Sequence, residues 1–169
     1  MENFSINPSS GNNFQLVFPT LPFTSDLVYS KQLSLQLINT GIPDLSLNKD
    51  ILNWNGKHIN SIITDLSFGD LDITFLIDEN FDNWKIIYDW IININNNQNI
   101  TGKNLKEYTT DASLIVYNNF NKPILSLSFI NVFPTNLGRV ELSFRDGENF
   151  LECTATFSHD YFRILNKYK

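Results

Sequence analysis

The sequence predicts a mainly β domain, a β-sandwich or small barrel with one flanking α-helix. Several short segments alternate apolar and polar residues with the two-residue period of a half-buried strand. One stretch, Leu71 to Ile91, leaves that period for helical spacing. A third sign is Arg145-Asp-Gly-Glu148, because Asp-Gly supplies the positive φ angles that a tight hairpin demands.

Residues 1–13 are polar and broken by Pro8, Ser9, Ser10 and Gly11, which reads as a flexible N-terminal arm. The folded domain is expected over 14–162, with a short basic tail over 163–169. Phe14, Leu16 and Phe18 form the apolar face of a first strand that Pro19 and Pro22 end. Leu33, Leu35 and Leu37 alternate with Ser34 and Gln36 in a second strand closing at Thr40-Gly-Ile-Pro43. From Asp44 to Ser61 no period is sustained, and the stretch reads as a long loop, or as a hairpin that orders only on assembly. Such loops in compact domains are commonly functional or disordered. Asn48, Trp54, Gly56 and His58 within it are therefore the candidate inter-subunit or inter-ring residues.

Leu71, Ile73, Phe75 and Ile77 then alternate with Asp72 and Thr74. After Asp78, residues Phe81, Trp84, Tyr88 and Ile91 share one helix face, which is the expected core stripe, and Trp90 lies with Ile86 and Ile94 on a second. Asp78 is the candidate N-cap, and Glu79 and Asp82 put negative charge where the helix dipole favours it. Asn93 to Asn99 closes the helix and leads into a polar connection through Gly102. Strands resume at Ser113–Tyr117, at Leu125, Leu127 and Phe129, at Val140, Leu142 and Phe144, and at Leu151, Cys153, Ala155 and Phe157. The total is about seven to nine short strands and one helix, the pattern of a sandwich or small barrel.

A chain of 169 residues with fourteen Phe suits one domain with an ample core. Its start carries no basic segment followed by an apolar one, and no apolar run approaches the roughly 20 residues that span a bilayer. A soluble protein without membrane insertion is expected. Cys153 is the one cysteine, so no intrachain disulfide forms and a role as a small core hydrophobe is expected. The net charge of −6 disfavours a surface that grips phosphates, since affinity for nucleic acid rests on Lys and Arg.

No catalytic, cofactor-binding or metal constellation assembles from the sequence. Gly69-Asp70 and Gly102-Lys103 lack the spacing of a phosphate-cradling loop. Asp78, Glu79 and Asp82 are explained by the helix start. His159 beside Asp160 lacks a nucleophile motif, and His58 stands in the unpatterned stretch. Trp84 and Trp90 are assigned to the core rather than to a stacking platform. The chain is not expected to be an enzyme.

Asn131-Val-Phe-Pro-Thr-Asn-Leu-Gly-Arg-Val-Glu-Leu-Ser-Phe144, followed by Cys153-Thr-Ala-Thr-Phe-Ser-His-Asp-Tyr-Phe162, resembles the C-terminal part of tail tube proteins of contractile-tailed bacteriophages. Thr40-Gly-Ile-Pro43 is similar to that family's small-residue-Leu-Pro step. Ile73-Thr-Phe-Leu-Ile-Asp-Glu79 with Asp89-Trp90 is similar to its strand, helix start and mid-helix Asp-Trp. The blocks are collinear from Phe14 to Phe162. The resemblance implies a virion structural protein of the phage tail, assembled in the host cytoplasm. It further implies a homo-hexameric ring, stacked with others into a tube that conducts double-stranded DNA without binding it specifically. Tail sheath, baseplate or tail terminator proteins are the implied partners. A hydroxyl-rich lining suits such a bore, and Ser126, Ser128, Glu141 and Ser143 are the candidate lumen-facing residues.

The stretch from Asn48 to Ser67, the arm before Phe14, and Arg163, Lys167 and Lys169 depart from the family pattern. They leave open a specialised tube-terminal or baseplate-adaptor ring of the same fold. Two other readings stand beside it: the related haemolysin-coregulated tube protein of type VI secretion, and a glycan-binding β-sandwich module using Trp54.

Overall fold

The computed structural model describes residues 14–22, 33–54, 57–97, 108–142 and 150–165. In chain order the elements are β1 (Phe14–Phe18), β2 (Leu33–Leu35), β3 (Leu37–Thr40), β4 (Leu45–Trp54), β5 (Lys57–Phe68), β6 (Leu71–Leu76), α1 (Asp82–Asn97), β7 (Thr110–Tyr117), β8 (Pro123–Leu137), β9 (Glu152–Ser158) and β10 (Tyr161–Ile164). The arm, the expected turn at 145–148, Phe144 and most of the basic tail lie outside the described residues.

All strand pairs are antiparallel, in the order β2-β1-β7-β8-β9-β6-β3, with β10 also on β8 and β4-β5 as a separate pair. The sheet does not close into a barrel, so the sandwich is the architecture that holds. Its pivot is β8. Residues 123–132 pair with β7, and 127–130 also pair with β10, whereas 133–137 pair with β9. The corner falls at Asn131, whose φ is 56°. Asn tolerates that region better than most residues. Its backbone N–H donates to Asp111 Oδ1 at 3.2 Å, and its side-chain amide donates to Asp160.

Two layers result, packed through interior side chains. Phe18 of β1 meets Phe157 of β9 at 5.3 Å between ring centroids, and Trp90 of α1 closes on both, at 5.9 and 6.1 Å. Leu16, Leu71, Ile73, Phe75, Ile87, Leu114, Leu127, Phe129 and Cys153 belong to the same core. Cys153 is 2% exposed, in keeping with its expected role.

The structure corrects five details. The segment 44–61 is not a loop: β4 and β5 form a long hairpin, with Leu45 opposite Phe68 and Trp54 opposite Lys57, and it is paired in the single chain rather than only on assembly. A register shift between Leu47 and Lys49 breaks the alternation that would have revealed it. The expected second strand divides at Gln36, with β2 pairing β1 and β3 pairing β6. On the helix, Ile86, Ile87 and Trp90 are buried while Tyr88 is 46% exposed, so the second stripe is the core stripe. Trp84 and Ile91 are half-buried at its margin. The helix also runs to Asn97, carrying Asn93, Asn95 and Asn96 inside it, because Ile91 and Ile94 still pack on the core. Residues 138–142 form no strand, since β9 already has β8 and β6 as neighbours. Leu142 is left 75% exposed.

Asp78 does cap the helix, from before its first turn. Its carboxylate accepts from Asp82 N–H at 2.7 Å and Asn83 N–H at 3.2 Å, while Asn83 Oδ1 accepts from Asp78 N–H at 3.3 Å. These contacts satisfy amides that the helix leaves without partners.

Candidate assembly surfaces

Three features of the surface are candidates for contact with other chains. The first is a set of open strand edges. In the layer β3-β6-β9-β8, strand β3 is bonded only to β6, and residues 133–137 of β8 only to β9, among the described residues. β10 is likewise paired on one side alone. An open edge presents unpaired N–H and C=O groups to any strand that can reach it.

The second is the hairpin. Among the described residues, β4 and β5 pair with each other and with no other strand. At the root they continue the β3-β6 ribbon, where Gly69 N–H donates to Asp44 O at 3.0 Å. One face of the root carries Leu45, Leu47, Leu66 and Phe68. Phe68 turns onto Phe162, 5.3 Å away, but the leucines are 56, 60 and 44% exposed and Ile42 nearby is 53% exposed. Clustered exposed apolar side chains mark a contact surface. Of the sequence-predicted contact residues, Asn48, Trp54 and His58 belong to the paired strands, and Gly56 lies outside the described residues.

The third is the outer face of the β3-β6-β9-β8 layer. Its core side holds Leu71, Ile73, Phe75, Cys153, Ala155 and Phe157; the other side carries Asp72 and Thr74 from β6 and Glu152, Thr154 and Thr156 from β9. A shallow depression of about 310 Å³ on this face is lined by Asn39, Thr40, Asp72, Thr74, Thr154 and Thr156, among others. Its polar groups bond to one another: Thr156 Oγ1 donates to Asp72 Oδ1 at 2.7 Å, Thr40 Oγ1 to Asp72 O at 3.0 Å, and Thr135 Oγ1 to Thr156 O at 3.1 Å. No Lys or Arg occurs in these four strand segments.

The candidate lumen residues are not brought together. Ser126 and Ser128 lie on the first half of β8, on the outer side of the other layer, and are only 7 and 8% exposed because neighbouring strands crowd them. Glu141 is exposed beside Arg139, with which it forms an ion pair, and Ser143 lies outside the described residues. The hydroxyl face of β6 and β9 was legible as alternation but carried no mark that distinguished it from the serine face. Among the described residues no group of three or more His, Cys, Asp or Glu side chains is placed to hold a metal ion, and no helix is long and apolar enough to cross a membrane.

Comparison with known proteins places this arrangement. The chain is 29% identical over 98 residues to the tail tube terminator protein of Enterobacteria phage T4, covering 56% of this chain and 54% of that protein. The match thus spans about half the length of the curated relative. The sheath/tube terminator of an extracellular contractile injection system superposes with a TM-score of 0.67 at 11% identity, over 96% of this chain and 99% of that one. Hcp1 from Flavobacterium johnsoniae superposes with a TM-score of 0.53 at 15% identity, over 90 and 94% of the two chains. Identities so low show a common fold. The family described as phage tail tube protein matches residues 7–165, and the chain belongs to that family.

Proposed function

We propose that the chain is a structural subunit of a contractile tail, forming a closed ring that continues or ends the tail tube and leaves a bore for double-stranded DNA. The observation that carries this is the four-stranded layer with open edges at both ends, β3 on one side and residues 133–137 of β8 on the other. Rotation-related copies joined edge to edge satisfy those backbone groups, and a head-to-tail contact that closes yields a ring. Each subunit then contributes four strands to one continuous wall, and the apolar hairpin root is left to bind a neighbouring subunit or ring.

In this arrangement the bore is lined by Asp72, Thr74, Thr154 and Thr156 rather than by the near-buried Ser126 and Ser128. A duplex carries one negative charge per ~1.7 Å of its axis. A wall of hydroxyls already donating to Asp72 and to backbone carbonyls, with carboxylates and no cation, offers it no ion pair at which to stop. No catalytic step is assigned to the protein.

Two tube positions fit the fold, a repeated ring and an end ring. The similarity to the phage T4 terminator favours the end ring. Electron microscopy of the purified protein at high concentration tests the proposal. Hollow rings that do not grow into long tubes are expected of an end ring, and long tubes would make it a repeated subunit. A chain that stays monomeric under all conditions would refute the ring.

A further inference from the structure

His159 sits in the link between β9 and β10, half-buried, with both ring nitrogens inaccessible and without a hydrogen-bond partner. Three phenyl rings surround it. Phe129 of β8 meets it edge-on at 5.0 Å, Phe162 of β10 lies at 5.9 Å, and Phe68, the last residue of β5, lies at 6.3 Å. Phe68 and Phe162 also contact each other at 5.3 Å. The imidazole is thus packed where the root of the hairpin meets the corner of the body.

A neutral imidazole suits such a cage, and an imidazolium does not, because its charge loses hydration and gains no acceptor. Burial accordingly lowers the pKa of His159 from 6.5, opposed by the carboxylates of Asp70, in the β5-β6 link, and Asp160, in its own link. Asp160 is engaged by the side-chain amide of Asn131. Arg163 follows Phe162 on the opposite side of β10, opposite Ser128, and does not face the ring. From β8 and β5, the rings of Phe129 and Phe68 meet it.

We propose that His159 is an acid-sensitive latch for the β4-β5 hairpin: the neutral ring holds Phe68, and with it the hairpin root, against the β9-β10 corner, and the protonated ring lets the root open. The latch belongs to the single chain and stands whether or not rings form. The sign follows from linkage. The open form binds the proton more readily than the closed form, so opening is suppressed above pH 6.5 and grows as pH falls below it, levelling off once the closed form also protonates.

Native-state hydrogen exchange of the full chain tests this, with rates corrected for intrinsic exchange. Between pH 7.5 and 5.5, amides of 66–72 are expected to lose protection relative to β9, by up to about tenfold per pH unit below the unperturbed pKa. His159→Phe, which keeps an aromatic ring in the cage without a titrating group, should hold the same protection at both pH values. The same loss in His159→Phe, or none in the parent, overturns the proposal. Should His159→Phe fail to fold, a proton titration of the His159 ring in a His58→Gln background decides. A midpoint below 6.5 with Phe68 ring resonances moving in step supports the latch; a higher midpoint or an unmoved Phe68 refutes it.

Discussion

The indole Nε1–H of Trp90 donates to the backbone carbonyl of Tyr108 at 2.8 Å, fastening the buried face of the helix to the entry of β7. Trp90 is fully buried and touches Phe18 of one layer and Phe157 of the other, so the same side chain fills the gap between the layers and anchors the connection. Trp90→Phe should keep most of the packing and lose the hydrogen bond, at a cost of about 1–3 kcal/mol. Trp90→Ala should cost about 3–5 kcal/mol. Urea denaturation of the two variants separates the terms.

Asp78→Ala removes the acceptor for the N–H groups of Asp82 and Asn83. Loss of such a cap costs about 0.5–2 kcal/mol. Asp78→Asn keeps a side-chain oxygen and should recover much of that, which thermal unfolding followed by circular dichroism will show.

Gly138 extends the β8-β9 ladder, its N–H donating to Thr154 O at 2.7 Å. A Cβ there would fall 3.0 Å from that same backbone oxygen and against the Thr154 hydroxyl. Gly138→Ala should therefore force the strands apart and destabilise the chain by about 1–3 kcal/mol. The glycine in the Pro134-Thr-Asn-Leu-Gly138 segment is thus a matter of close approach between strands. Gly41, with nothing within 4 Å of its virtual Cβ, should tolerate alanine far better.

Burial pushes the Cys153 thiol above its usual 9.0, against smaller opposing effects of the Trp84 indole and the Gly138 backbone. A raised thiol pKa means that the folded chain holds its proton longer than the unfolded one. The contribution to stability is present below pH 9 and is lost as pH rises through the folded pKa. At pH 8 the thiol should resist Ellman's reagent in the native protein and react at once in denaturant. Fast reaction in the folded state would contradict the burial.

Thr74 and Thr154 together test the bore face. Thr74→Lys with Thr154→Lys should leave ring formation intact while adding cations to the wall. Rings of the variant should retain a short duplex with an affinity that falls steeply with salt, and rings of the parent should not. Intact variant rings that still ignore DNA would remove these residues from the bore.

Alternation made β1, β6, β7 and β9 legible, because each has one buried face and one exposed face, so every second residue had to be apolar. The hairpin was hidden because its register shifts between Leu47 and Lys49, and a strand interrupted in this way does not keep a single two-residue period along its length. The helix was found from its spacing, yet its inward face was misassigned, since apolar residues occur on two stripes and only the partners Phe18 and Phe157 choose between them.

By itself the sequence determined the class of fold, the position of helix α1 and its cap, the family, and the absence of any motif for a phosphate-cradling loop. Tertiary structure alone decided that β8 turns at Asn131 to serve both layers, which edges stay open, and which polar face stands free of cations. The reason is physical: periodicity records whether a residue faces inside or outside, a local property. Edges, corners and shared faces depend on which distant strand arrives beside it, and no local pattern encodes that choice.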